Sequence, residues 1–150
     1  MCIRDSIWEQ VQAAALAVFR HGQQVAQAAG FILVDTKYEF GRAPDGTLML
    51  IDEVHTPDSS RFWAAGEFEQ AQRAAAEPQH WDKEFVRLWY ADQGYRGDGE
   101  PPALPPEVVA ETAQRYVALY EGLTGQPFRP APAPTGPRII DVLRGYLPQS

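Results

Sequence analysis

Asp35, Lys37 and Glu39 occupy every second position of one short run of β-branched and aromatic residues, and a second such run carries Asp52. In an extended strand, side chains two apart share a face, so the three charges project together while Val34, Thr36, Tyr38 and Phe40 take the other side. If the loop joining the runs holds two or four residues, odd positions of the first strand oppose even positions of the second, and Asp52 joins the charged face. Glu39 and Asp52 then stand opposite or diagonal, about 5 to 8 Å apart. Carboxylates that close raise each other's pKa unless a cation compensates. Lys37 is one such cation and a divalent metal is the other. Magnesium is commonly held by one or two carboxylates, with water and phosphates completing its octahedron. A metal on Glu39 and Asp52 leaves Lys37 for a phosphate or carboxylate oxygen. The alternative is a solvated hairpin face with a cross-strand Lys37–Asp52 pair worth less than about 1 kcal/mol. The segment Thr56-Pro57-Asp58-Ser59-Ser60-Arg61 weighs against that alternative. Hydroxyls, a carboxylate and a guanidinium that can fork onto phosphate or carboxylate are the parts of an anion-recognition site.

The elements that must position these groups follow from pattern. Ser6 and Glu9 have the capping-box spacing, so a helix is expected to start at Ser6, after a leader of residues 1–5. Its apolar face is Val11, Ala15, Phe19, Gly22 and Ala26, and Gly30 ends it. Phe31 to Phe40 reads as one strand and Thr47 to Val54 as a second, joined at Pro44-Asp45-Gly46 into a hairpin. His55 to Trp63 reads as a polar loop. Weak helical character covers 67–76, helical spacing covers 82–92, and 94–106 is a Gly/Pro connector. Pro106 opens a helix with the stripe Val109, Thr112, Tyr116, Leu119 and Leu123, closed by Gly125. Residues 127–137 read as an extended linker and 139–147 as a last short helix. The fold class expected is α/β in the α+β sense, an antiparallel hairpin sheet packed by helices in a single domain.

Composition excludes several function classes. The 150 residues are 45% hydrophobic and 22% charged, enough for one sizeable core. Thirteen basic against twenty acidic residues give a formal charge of −7, the wrong sign for tracking a nucleic-acid backbone. An anionic ligand therefore needs a metal or local cations. Cys2 is the only cysteine, so neither a disulfide framework nor a thiolate metal site is available. No apolar run approaches the roughly 20 residues of a membrane span, and the expectation is a soluble, cytoplasmic chain with no membrane partner. His21, His55 and His80 share no ligand spacing and suit surface or structural positions better than catalysis.

The charged segments also resemble a known family. Leu33-Val34-Asp35-Thr36-Lys37-Tyr38-Glu39-Phe40-Gly41 resembles a signature of the SAICAR synthetase family, and Ile51-Asp52-Glu53-Val54-His55-Thr56-Pro57-Asp58-Ser59-Ser60-Arg61-Phe62-Trp63 resembles its next block at the proper separation. Trp81-Asp82-Lys83-Glu84-Phe85-Val86-Arg87 is similar to a third segment, and the resemblance extends from about Ile7 onward. It implies ATP-dependent ligation of the nucleotide CAIR to L-aspartate, giving SAICAR, ADP and phosphate in de novo purine biosynthesis, through an acyl phosphate. Carried over residue by residue, it implies magnesium on Glu39 and Asp52 and nucleotide contact by Lys37. It places Asp35 and Lys37 at the chemistry and Asp58, Ser60 and Arg61 on substrate, with Lys83 and Arg87, one helical turn apart, facing the same cleft. ATP and Mg2+ are the implied cofactors, and CAIR, L-aspartate and ATP the implied small-molecule partners.

Departures from the family pattern carry their own expectations. Members have an amino-terminal lobe of roughly a hundred residues, the scale of a domain, with a glycine-containing nucleotide loop. That lobe has no counterpart here, so residues 6–150 are expected to be a carboxy-terminal catalytic lobe, inactive alone, behind a spurious leader at 1–5. Glu84 stands where the pattern has Gln, and Leu88 where it has Asp. The rival readings are a non-catalytic structural or metal-binding remnant and another Mg-ATP-dependent transferase.

Overall fold

The computed structural model describes residues 3–146, with side chains from residue 6 onward. The elements in chain order are α1 (Ile3–Ala28), β1 (Phe31–Thr36), β2 (Glu39–Arg42), β3 (Leu48–Ile51), β4 (Ser60–Ala64), α2 (Ala65–Ala74), α3 (Glu84–Asp92), α4 (Pro106–Thr124) and α5 (Thr135–Arg144). Mixed helices and antiparallel strands match the expected class. Among the described residues no helix is long and apolar enough to cross a membrane.

Ser6 does not cap α1. Nothing in Ile3 to Asp5 breaks a helix, so the helix begins at Ile3 and Ser6 lies inside it, its Oγ accepting from Gln10 Nε2 at 3.5 Å. The helix runs through the expected leader boundary at 5/6; Met1 and Cys2 lie outside the described residues. The apolar face of α1 is as expected, with Gly22 and Ala26 buried and Val11, Ala15 and Phe19 half-buried. Gly30 and Gly125 follow α1 and α4 at φ +81° and +66°, a left-handed conformation that side-chain-bearing residues rarely adopt.

The strand pairing differs from the expected hairpin in two ways. First, the run from Phe31 to Phe40 breaks at Lys37 and Tyr38 into β1 and β2, and only β2 pairs with β3. β1 pairs antiparallel with β4, Leu33 opposite Phe62, Asp35 opposite Arg61 and Thr36 opposite Ser60, with a register shift between Leu33 and Asp35. The segment read as a polar loop thus ends in a strand. Its Phe62 supplies the apolar residue that the hydroxyl-rich Ser59-Ser60 obscured.

Second, the parity of the hairpin is reversed. Residues 43–47 form the loop, and this odd number sets odd positions opposite odd ones, Glu39 facing Ile51 and Gly41 facing Met49. The Pro44-Asp45-Gly46 turn itself is as expected: Gly46 N–H donates to Ala43 O at 2.8 Å and Thr47 N–H to Asp45 Oδ1 at 2.9 Å. Asp52 falls just beyond β3 at φ +68°, so it is not presented by a strand face.

The core lies between α1, the β1/β4 ladder and α4. Ala26, Leu33, Phe62 and Leu119 are buried together, with Phe19, Phe31, Trp81 and Leu123 packed around them. Phe31 meets Trp81 edge-on at 5.4 Å between ring centroids, a favourable aromatic geometry. On α4 the buried residues are Val108 and Leu119; Leu119 belongs to the expected stripe, whereas Val109 is 50% exposed and its neighbour Val108 is buried in its place. α5 starts at Thr135, inside the expected linker, and its apolar residues Ile139, Ile140, Val142 and Leu143 are exposed. Its expected end at Leu147 lies outside the described residues.

Candidate functional site

The end of the β1/β4 ladder, the start of α3 and the chain after β3 converge on one cleft of about 640 Å³. It is lined by Asp35, Lys37, Asp52, Asp58, Ser60, Arg61, Lys83 and Arg87, eight of the nine residues expected from sequence. Glu39, the ninth, stands beside it, its Oε1 2.5 Å from Lys37 Nζ.

Asp35 and Arg61 are cross-strand neighbours, and the guanidinium forks onto the carboxylate, with Nε 2.9 Å and 3.0 Å from its two oxygens and Nη2 also on Oδ2. The hydrogen bonds from Arg61 hold the Asp35 carboxyl below the usual carboxylate range despite some desolvation. Arg61 is thus held by its own strand partner and meets an added anion only by sharing or leaving Asp35. Both side chains are 49% exposed, so the pair is worth less than about 1 kcal/mol.

Lys37 leaves the sheet at the β1/β2 break, and its N–H donates to Ser59 O at 3.3 Å. The hydrogen bond to Glu39 raises the Lys37 ammonium above its ordinary range, with Asp52 and Glu53 adding smaller electrostatic contributions. The cross-strand Lys37–Asp52 pair of the alternative reading is not formed; Lys37 makes this i,i+2 pair instead, and the reversed parity puts Ile51 opposite Glu39. Asp58 reaches Lys83 Nζ at 3.4 Å, and Arg87 reaches Glu84 Oε2 at 2.9 Å across one turn of α3. Ser60 is buried, and its Oγ donates to Thr36 Oγ1 at 2.8 Å, tying β4 to β1 at the cleft floor.

Asp82 was not among the expected site residues, yet it lines the cleft and is 1% exposed. Its two oxygens accept from Phe62 N–H at 2.9 Å and Glu84 N–H at 2.8 Å, coupling the core strand to the first turn of α3. Burial pushes its carboxyl up, and the two backbone donors oppose the shift. The legible signal was its place beside Lys83 in the third family-like segment. Thr36, Glu53, Ser59 and Glu84 also line the cleft. Thr36, expected on the opposite face, is the last residue of β1, opposite Ser60, and reaches the cleft from the strand end.

His80 is 5% exposed and structural, its Nε2 3.1 Å from Glu77 Oε1 and its carbonyl accepting from Arg115. His55 sits behind the cleft with Tyr38, and burial, with His21 nearby, lowers its pKa.

Among the described residues no three His, Cys, Asp or Glu side chains cluster as a metal cage. Magnesium can be held by as few as one or two carboxylates when phosphate and water complete its shell. Asp52 directly follows the cross-strand partner of Glu39, and both act on the Lys37 ammonium.

The model of the family described as SAICAR synthetase matches residues 1–102. The phosphoribosylaminoimidazole-succinocarboxamide synthase of Legionella pneumophila is 44% identical over 144 residues, covering 93% of this chain and 46% of that protein. The chloroplastic synthase of Arabidopsis thaliana is 50% identical over 119 residues, 79% of this chain and 29% of that one. The chain thus spans about half the length of the curated relatives it matches, or less. Among solved structures, the Saccharomyces cerevisiae SAICAR synthase complexed with SAICAR superposes with a TM-score of 0.68 at 30% identity, over 83% of this chain and 40% of that one. A SAICAR synthetase in complex with ADP superposes at 0.56 with 26% identity, over 81% of this chain and 39% of that one.

Proposed function

This chain belongs to the SAICAR synthetase family, and from that premise we propose that its cleft is the substrate- and metal-facing half of a site for ATP-dependent ligation of CAIR to L-aspartate. The observation that carries the reading is the convergence of eight expected residues, drawn from three separate segments, on one cleft. Relatives whose structures hold SAICAR and ADP support both ligand classes.

The chemistry asks for charge neutralisation and alignment more than for a nucleophile on the protein. A carboxylate of CAIR attacks the γ-phosphorus of ATP, and the bond to the bridging oxygen of ADP breaks. The aspartate amine then attacks the acyl phosphate, a C–N bond forms, phosphate leaves, and the nitrogen loses a proton. Lys37, freed from Glu39, is placed to meet phosphoryl oxygens. Arg61, Lys83 and Arg87 bind the anionic groups of the nucleotide substrate, and Asp35 and Asp58 hold Arg61 and Lys83 in orientation until ligand arrives. Glu39 and Asp52 would hold magnesium, which when bound supplies a Lewis acid that neutralises phosphate oxygens. The Ser60 to Thr36 bond keeps the floor of the cleft in register beneath these groups.

Calorimetric titration of the chain with SAICAR and with Mg-ATP tests the reading. Saturable SAICAR binding is expected, weakened about tenfold, or ~1.4 kcal/mol, by Lys83→Ala or Arg87→Ala. Asp52→Asn should weaken Mg-ATP binding while sparing SAICAR. No binding of SAICAR by the wild-type chain at millimolar concentration overturns the reading. ADP release that continues over many turnovers with CAIR and without aspartate would instead identify a different transferase.

A further inference from the structure

We propose that Tyr38 and His55 are positioning residues, a latch seated on Gly22 of α1 that sets where Lys37 and Asp52 stand in the cleft. The consequence for ligand binding rests on the function proposed above; the latch itself rests on geometry alone. Tyr38 lies in the break between β1 and β2, directly between Lys37 and Glu39. Its hydroxyl is 2.5 Å from Nε2 of His55, and the two rings meet edge-on with centroids 5.6 Å apart. His55 lies three residues after Asp52, at the other end of the β2–β3 hairpin. One contact thus ties the entry and the exit of the hairpin together.

Two features of the chain fit this latch. Glycine is among the poorest residues for a helix interior, yet Gly22 sits deep within the 26-residue α1. The imidazole of His55 lies against it: a Cβ at position 22 would stand 2.5 Å from Nδ1 and 2.8 Å from Nε2. Only glycine leaves room for the ring. The turn bearing the ring is also unusual, since Asp52 and His55 both adopt positive φ, at +68° and +56°. Non-glycine residues hold that conformation where surrounding contacts fix it, and such residues concentrate at functional sites.

The hairpin needs such a tether because little else holds it. β2 and β3 form a sheet of their own, and Met49, Leu50 and Ile51 are 36–48% exposed. The Lys37 N–H to Ser59 carbonyl bond joins one end of this sheet to the strand side of the cleft, and the Tyr38–His55 contact, seated on Gly22, ties its two ends to α1.

Gly22→Ala and Tyr38→Phe in the 150-residue chain test the latch from opposite sides. Alanine improves helix propensity while its methyl group turns the His55 ring away, and phenylalanine removes a single oxygen from a half-buried ring. Both should shift the Lys37 and Asp52 backbone resonances in the ligand-free chain and speed hydrogen exchange at the Lys37 amide, with thermal midpoints within a few degrees of wild type. Both should also weaken Mg-ATP binding about tenfold. Unmoved resonances and exchange in the two variants overturn the proposal. So does a lowered midpoint accompanied by cleft changes no larger than the unfolded fraction explains, which would leave the contact structural alone. Should Gly22→Ala fail to fold, Tyr38→Phe decides. A wild-type chain that does not bind Mg-ATP counts against the nucleotide half of the proposed function, and the latch is then judged on the ligand-free resonances and exchange.

Discussion

The β1/β4 ladder lines the cleft directly, the β2/β3 ladder reaches it only through the chain at its ends, and the two are held in different ways. The β1/β4 ladder has its inner face in the core, where Leu33 and Phe62 are 2% and 1% exposed. The β2/β3 ladder exposes Met49 at 48%, Leu50 at 36% and Ile51 at 42%. Asp35, Ser60 and Arg61 therefore ride on strands fixed by hydrophobic burial, whereas Glu39 and Asp52 ride on a hairpin fixed at its ends. Of the groups proposed for the nucleotide substrate, Arg61 is built on the firm ladder, while Lys83 and Arg87 belong to the start of α3. Those assigned to metal sit where small displacements are cheap, which suits ligands that must adjust to phosphate and water.

The largest test of this contrast is truncation in each ladder. Phe62→Ala should cost about 3 to 5 kcal/mol, the range for emptying a buried aromatic site, and Leu50→Ala less than about 1 kcal/mol, because its side chain already meets solvent. Urea denaturation of both variants measures the difference, and equal losses would refute the distinction.

Next in size is Asp82→Ala, which leaves the buried Phe62 N–H without its acceptor and should cost about 1 to 3 kcal/mol. Here the pH dependence has a definite sign. Burial raises the Asp82 carboxyl in the folded chain above its ordinary 3.8, so the folded state holds the proton more tightly than the unfolded state. The contribution of Asp82 is therefore greatest below 3.8 and declines as pH rises through the folded value. Denaturation of wild type and variant at acid and neutral pH should show the gap narrowing upward; a gap that widens would be inconsistent with it.

Asp35→Asn should have the smallest effect, less than about 1 kcal/mol at pH 7, since the Asp35–Arg61 pair is half exposed. The sign is opposite to that at Asp82. Arg61 lowers the folded Asp35 carboxyl, so its stabilisation is present above 3.8 and is lost as pH falls through the folded value. The stability curves of wild type and Asp35→Asn should converge in acid. Divergence there would show that the pair is not what lowers the carboxyl.

Much of this was legible along the chain. Apolar stripes at helical spacing located α1 and α4, and Pro106 and Gly125 bounded α4, because these signals depend on a few neighbouring residues. The family-like segments named nearly all the charged residues of the cleft before any fold was known. Strand partners were not legible. Phe31 to Phe40 has strand character throughout, and nothing local says that it breaks at Lys37 and changes partner. β4 was hidden because its pairing residues Ser60 and Arg61 look like loop residues until β1 lies beside them. The five-residue loop reversed the hairpin parity, a matter of a single count.

What the sequence determined by itself was the family and the inventory of acids and bases, since chemistry needs particular functional groups and those are written residue by residue. Which acid meets which cation was decided only by tertiary structure. Arg61 is held by Asp35, Lys37 turns to Glu39, and Asp82 bridges Phe62 and Glu84. Each of these pairings follows from strand register and backbone turns, and register is fixed by burying Leu33 and Phe62 on one face rather than by the charges themselves.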